Sequence, residues 1–136
     1  MKQLALKTLA VLAISLPFVL GAPASQAANL ADKDKQFLSA YEKTHAALAA
    51  DDLNGAKASA PALGDAGADL AKSTSLRDAR VAFERLSARA KQLAAGQSDY
   101  HVFHCPMLKK DWVQTSTTVS NPYGGKEMVG CGEIQK

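Results

Sequence analysis

The chain has 136 residues, of which 16 are Lys or Arg and 13 are Asp or Glu, and its formal net charge is +3 at neutral pH. This length is typical of one small domain. Two of the basic residues, Lys2 and Lys7, lie at the extreme N-terminus, so the rest of the sequence is nearly neutral. It contains no basic patch, and we therefore expect no nucleic-acid partner.

The N-terminal residues have the pattern of a secretory signal peptide. Lys2 and Lys7 precede the apolar run TLAVLAISLPFVLGA, residues 8–22, and small residues follow at Ser25 and Ala27. The run is of signal-peptide length and is too short to span a bilayer comfortably. We therefore expect export to the periplasm, with a membrane anchor retained on the chain as the alternative.

The expected cleavage after Ala27, or alternatively after Ala24, removes the signal peptide. Cleavage after residue 27 of 136 leaves 109 residues, which we interpret as a single domain, residues 28–136. No later apolar run approaches the length of a membrane span, so no span is expected after cleavage.

The domain has two parts of different composition. Residues 28–99 are rich in Ala, Asp, Lys and Leu, which favours helices. Residues 100–136 contain the only tryptophan, both cysteines and most of the turn-forming Gly and Pro. The second part also carries enough apolar side chains to dock on the helices.

Three helical stretches are predicted in the first part. Apolar residues recur at helical spacing over residues 32–50. A second stretch, residues 55–72, is alanine-rich and is interrupted near Pro61. The third begins after a capping residue, Ser75, and ends at Gly96. Its predicted apolar stripe consists of Leu76, Phe83, Leu86, Ala90 and Leu93.

The last part is predicted to be irregular. The β-branched, polar stretch VQTSTTVS, residues 113–120, is closer to a strand or extended loop than to a helix. NPYGG, residues 121–125, is typical of a turn in which a glycine takes a positive φ. We therefore predict an all-α fold: a small antiparallel bundle of three to four helices with an irregular C-terminal segment packed on it.

Sulfur-bearing residues occur in mirrored order at the two ends of the last part. Cys105 and Met107 stand near its start, and Met128 and Cys131 stand near its end. If the chain folds back on itself, Cys105 meets Cys131 and Met107 approaches Met128. Thiolate and thioether groups are soft donors that select Cu(I) or Ag(I). Two imidazoles on the approach to these sulfurs are further candidate ligands, those of His101 and His104.

The residues alone leave a second interpretation open. Two cysteines in an exported protein of this size commonly form a disulfide, and methionine is a common filler of apolar cores. No phosphate-binding loop or activated nucleophile is recognisable. Cys105 and His104 could be drawn as a thiol dyad, but adjacent residues rarely place both groups for proton transfer. We therefore expect no enzymatic activity.

Three other side chains are given structural interpretations. His45 is placed on the polar side of the first helix and is assigned to no site. Trp112 is assigned to the core, with a cation–π contact to Cu(I) as the alternative. Tyr123 is expected to pack at the turn.

The pieces ARVAFERLS, YHVFHCPM, NPYGGKEM and CGE resemble a domain family of unknown function from bacterial periplasms. That family occurs as stand-alone proteins and at the C-terminal end of periplasmic adaptor subunits of copper and silver efflux pumps. The resemblance covers nearly the whole domain and is closest from Ala79 onward. The positions that match its pattern are Cys105, Pro106, Met107, Trp112, Asn121, Pro122, Tyr123, Gly125, Met128, Cys131 and Gly132.

The resemblance implies a helical bundle with the sulfur-bearing segment at one end, and a role linked to metal. It also implies a periplasmic component of a metal efflux system as a partner. One position departs from the pattern: residue 124 is usually aromatic in the family and is glycine here.

Together these patterns predict a periplasmic protein that binds Cu(I) or Ag(I) and buffers it or hands it to an exporter. The first candidate ligands are Cys105, Met107, Met128 and Cys131, followed by His104 and then His101. The alternative is an envelope interaction module without metal, held together by a disulfide between Cys105 and Cys131.

We predict that the intact mass of the exported protein corresponds to a chain beginning at Ala28, because the small residues at Ser25 and Ala27 fit a signal-peptidase site. Mass spectrometry of protein from the periplasmic fraction checks this. A protein that retains Met1 and fractionates with membranes would contradict it.

Overall fold

The computed structural model describes residues 29–136, and the predicted signal peptide lies outside these residues. The helical elements are α1 (Asp32–Ala49), α2 (Leu53–Ala58), a 3₁₀ segment (Ala60–Gly67), α3 (Ala68–Lys72) and α4 (Leu76–Ala94). The remaining elements are β1 (His101–Cys105), β2 (Lys110–Gln114), a short 3₁₀ turn (Gly125–Glu127) and β3 (Glu133–Ile134). Within residues 29–136, no helix combines the length and apolarity needed to cross a membrane.

The first helix forms as its apolar spacing predicts. Phe37, Tyr41 and Leu48 of α1 are buried on one face, which packs on α4 and on the 3₁₀ segment. Two carboxylates, Asp32 and Asp34, stand in its first turn, where they interact favourably with the helix dipole. The prediction of a helix over residues 32–50 is confirmed to within one residue.

The second predicted stretch is divided into three short pieces. Asp52 caps α2 by accepting a hydrogen bond from the Gly55 amide, at 2.8 Å. Pro61 stands near the start of the 3₁₀ segment, and Gly64 within it takes a φ of 63°, which ends the helical path. The predicted interruption is therefore confirmed.

The fourth helix carries the capping interaction expected from its sequence. The Ser75 hydroxyl accepts a hydrogen bond from the Asp78 amide at 3.1 Å. The predicted stripe faces the core: Phe83, Leu86 and Ala90 are buried, and its two end residues are partly buried. This helix supplies one wall of the core.

The prediction of an all-α fold is wrong, because the chain also forms a three-stranded antiparallel sheet in the order β2–β1–β3. β1 pairs with β2 so that Phe103 faces Trp112, and it pairs with β3 so that Phe103 also faces Ile134. Phe103 and Cys105 are buried while Val102 and His104 are less so, which is the two-residue period of a strand. From the sequence this stretch was interpreted as a cluster of candidate ligands, because HVFHC does not alternate between apolar and polar residues and gives no strand period. The fold is therefore mixed α and β.

The extended stretch predicted at residues 113–120 is only partly a strand. β2 begins earlier, at Lys110, and ends at Gln114, and the residues that follow form a loop. Gln114 is buried and organises this loop: its side-chain amide donates to the carbonyl oxygens of Ser116 and Thr118, at 2.7 and 2.6 Å. Buried amides require such partners.

Tyr41 joins the helices to the sheet. Its ring stacks on Phe83 with the centroids 4.7 Å apart. Its hydroxyl lies 2.9 Å from that of Ser87 and accepts a hydrogen bond from the Val113 amide at 3.1 Å. Burial raises the pKa of Tyr41. The phenol therefore stays neutral and links α1, α4 and β2.

Trp112 lies in the core, as the sequence predicts. Its ring is fully buried and stacks on Phe103 at a centroid distance of 5.5 Å. Its indole N–H donates to the Gln114 side chain at 2.8 Å. A Cβ atom at position 132 would lie 2.5 Å from the Trp112 ring, so Gly132 lets the chain pass over the indole.

The interpretation that placed His45 on the polar side of α1 is wrong. The His45 side chain is buried, and its Nε2 donates to the Ser120 carbonyl oxygen at 2.6 Å. Burial lowers its pKa, so the ring is neutral at neutral pH. The loop that covers it follows 75 residues later in the chain, and helical periodicity cannot foresee such a cover.

We predict that Phe103→Ala destabilises the protein by about 3–5 kcal/mol, because it removes a buried ring and leaves a cavity in the sheet face. The matched control Val129→Ala, at a half-exposed site, should change stability by less than about 0.5 kcal/mol. Denaturant unfolding followed by circular dichroism gives both values. Equal effects of the two substitutions would contradict the burial of Phe103 in a folded C-terminal part.

Candidate metal site around the cysteine pair

Cys105 and Cys131 meet in space. Their sulfur atoms lie at disulfide-bonding distance and their Cα atoms are 5.6 Å apart, across 26 positions of sequence. The prediction that the chain folds back to bring these two residues together is confirmed. Cys105, at the end of β1, is fully buried, whereas Cys131 is partly exposed.

Asn121 holds the returning chain in place. Its side-chain oxygen accepts hydrogen bonds from the amides of Tyr123 and Gly124 at 2.9 and 3.0 Å. Its side-chain amide donates to the Cys131 carbonyl oxygen at 2.8 Å, and its own backbone amide donates to Val129. The turn predicted at residues 121–125 is thus present, and this one buried residue connects it to Cys131.

A charged pair ties the same turn to the helices. Arg80 donates to the Pro122 carbonyl oxygen at 2.9 Å and to the Asp51 carboxylate at 2.6 Å. Asp51 also accepts from the Lys126 amide at 3.1 Å. The Lys126 amide and the Arg80 guanidinium lower the pKa of Asp51. Gly125 has a φ of 58°, and a side chain there would collide with Asp51 and Arg80.

The two methionines lie in different surroundings. Met107, in the connection between β1 and β2, is 75% exposed. Met128 is partly buried and packs against the core. Met107 therefore does not fill the core, which removes one alternative explanation for its place beside Cys105. The expected approach of Met107 to Met128 stays a prediction.

Gly124 brings the backbone close to Met128. A Cβ atom at position 124 would lie 2.5 Å from the Met128 Cβ, although the φ of −89° there suits any residue. An aromatic residue at this position, which the resemblance leads one to expect, would displace Met128. The glycine thus sets where this thioether lies.

His104 points away from the cysteine pair. Successive side chains of a strand lie on opposite faces of its sheet, so His104 and Cys105 face opposite ways. The Nδ1 of His104 lies 2.7 Å from a carboxylate oxygen of Asp111, whose other oxygen accepts from Lys91 at 2.5 Å. These contacts, that of Lys91 foremost, lower the pKa of Asp111.

His101 lies on the same face of the sheet as Cys105, four residues away, which in a strand is about 13 Å. It is half-buried. The structure therefore brings the two cysteines together and places the two candidate imidazoles apart from them. Within residues 29–136, no three side chains of His, Cys, Asp and Glu come close enough to bind one ion.

Two contacts were not predicted from the sequence: that of Asp111 with His104 and that of Asn121 with the Cys131 carbonyl oxygen. A strand pairing drawn across the connection at residues 106–109 would have placed Asp111 opposite His104. The sequence HVFHC of residues 101–105 does not alternate between apolar and polar residues, so it gave no strand signal for this pairing. Asn121 was identified only as the start of a turn, because its bond to Cys131 depends on the fold-back.

We predict that replacing both cysteines by serine lowers the free energy of unfolding by roughly 3 kcal/mol, because the unfolded chain regains the entropy that a cross-linked loop of this length removes from it. Urea unfolding with and without a reductant measures this. The reductant should destabilise the parent by a similar amount and leave the double variant unchanged. A parent insensitive to reductant, with both cysteines open to alkylation in the native state, would contradict the cross-link.

No protein-family model, curated protein or solved structure matches this chain.

Proposed function

We propose that this protein is a periplasmic binding protein for Cu(I) or Ag(I), which buffers the ion or passes it to a component of a metal efflux system. The observation that supports this most is the meeting of Cys105 and Cys131 with the exposed Met107 close by in sequence. Sulfur donors of this kind select soft monovalent ions. The ion is cargo, and the protein performs no chemistry on a substrate.

The cysteine pair has two states in this proposal. A dithiol reductant transfers two electrons to the disulfide and is itself oxidised to a disulfide, which leaves two thiols on the protein. Binding of the metal ion then releases the thiol protons, since the thiolate is the ligand. The Asn121 turn and the end of β1 keep the two sulfurs near each other after the bond opens.

Met107 and Met128 are the proposed thioether donors that complete the shell. An exposed donor such as Met107 suits transfer, because an incoming ligand from a partner protein can replace it directly. His101 and His104 rank below the sulfurs as candidate ligands, in keeping with their distance along β1 and their face of the sheet.

A second candidate function is favoured by the same pair in its oxidised state. With the sulfurs at bonding distance, the protein is a disulfide-stapled envelope interaction module that binds no metal. The two candidates differ in whether the methionine sulfurs matter for binding.

The double variant Met107→Leu, Met128→Leu should fold nearly as well as the parent and lose Cu(I). Leucine conserves the volume, so the stability cost should be under about 1.5 kcal/mol. It cannot replace a thioether donor, so Cu(I) affinity of the reduced protein should fall by roughly tenfold or more. Competition against a chromophoric Cu(I) chelator measures the affinity.

The matched control is Ile134→Leu, another volume-conserving change at a half-exposed site in the same part of the chain. It should leave Cu(I) affinity unchanged. Equal retention of copper by the parent and the double variant, or no retention by either, would favour the disulfide-stapled module.

A further inference from the structure

A row of three ionisable side chains crosses the sheet. His104 of β1 is in register with Asp111 of β2 on one side and with Glu133 of β3 on the other. Residues directly opposite each other on antiparallel strands share a face, with Cβ atoms roughly 4.5–5.5 Å apart. The imidazole therefore stands between two carboxylates on the face opposite Cys105.

One carboxylate is committed to orienting the ring. The Nδ1–H of His104 donates to Asp111 at 2.7 Å, and Lys91 pairs with the other oxygen of the same carboxylate. An ionised Asp111 holds the proton on Nδ1, which leaves the lone pair of Nε2 free.

The free nitrogen can be reached from solvent. The His104 side chain is 31% exposed and lines a cleft of about 580 Å³ between α4 and the sheet. Three lysines line the same cleft, Lys91, Lys109 and Lys110, and carboxylates pair with two of them: Asp111 with Lys91 and Glu84 with Lys110. Glu133 is exposed. A cation at Nε2 therefore has an exposed carboxylate on the neighbouring strand, and Asp111 and Glu84 offset the charge of two of the three lysines in the cleft.

We propose that His104 and Glu133 form a binding site for a divalent cation of borderline softness, Cu(II) or Zn(II), with water completing its coordination. Imidazole nitrogen suits both ions. A ligating histidine that donates its other N–H to a carboxylate is the usual arrangement at such sites, so Asp111 is the positioning residue. The site has two protein donors, Nε2 and the Glu133 carboxylate, because Asp111 is committed to Nδ1.

This site is independent of the cysteine pair, since the two lie on opposite faces of β1. The test therefore uses the mature chain with its disulfide intact, in which the cysteine sulfurs are not free to bind. Cu(II) is titrated into the protein, and electron paramagnetic resonance reports the number of coordinated imidazole nitrogens.

One imidazole nitrogen per copper is expected in the parent. His104→Gln should abolish this signal, and the matched control His101→Gln, on the same strand but the opposite face, should retain it. Glu133→Gln, at an exposed site, should weaken binding without affecting the fold. Asp111→Asn should weaken binding by about 10–100-fold, as loss of an orienting carboxylate does, with circular dichroism confirming that the variant is folded.

Zn(II) should displace Cu(II) from the parent at high excess, since both ions use the same two donors. Three results would overturn the proposal: a signal that survives His104→Gln, a signal lost equally in His101→Gln, or no saturable binding by the parent. None of these results concerns Cu(I) binding by the reduced protein. Failure of the His104 site therefore leaves the proposed function untouched, and failure of the proposed function leaves the His104 site untouched.

Discussion

The link between Cys105 and Cys131 is the constraint on which the C-terminal part of the molecule depends. It joins the end of β1 to the chain that returns after the Asn121 turn, and so closes a loop of 26 positions. The core beneath this loop is rich in alanine, which buries little apolar surface per residue. A cross-link worth roughly 3 kcal/mol is therefore a large share of the stability of so small a domain. Opening it for metal binding would require the ion to restore that stability.

Local patterns in the sequence predicted much of the helical layer. The α1 and α4 stripes, the Ser75 cap and the Asn121 turn each depend on residues within a few positions of one another. The sheet was missed because β1 is short and its sequence, HVFHC, does not alternate between apolar and polar residues. β3 has only two residues and no period of its own. The burial of His45 depends on a loop far along the chain, and no local pattern contains that information.

The sequence predicted the cysteine pair of the candidate site but not the position of its histidines. Folding the chain back on itself identified Cys105 and Cys131 correctly, because mirrored order is a long-range feature that the sequence displays. His104 was grouped with Cys105 because the two are adjacent in sequence. Neighbouring residues of a strand lie on opposite faces of its sheet, so this grouping does not hold in the structure. Cys105 and His104 lie on opposite faces of the sheet, and we propose a different kind of ion for each.

The central claim is that Cys105 and Cys131 alternate between a disulfide and a pair of metal ligands. The most direct test divides protein taken straight from the periplasm, before and after Cu(I) is supplied, into two samples. One is quenched in acid and alkylated to count reduced cysteines, and the other is kept at neutral pH so that native mass spectrometry counts bound copper. Because the ion binds only the dithiol form that a dithiol reductant produces, supplied Cu(I) should increase the fraction with two reduced cysteines, with one copper per reduced chain. A protein that is fully disulfide-bonded and copper-free under both conditions would contradict this claim.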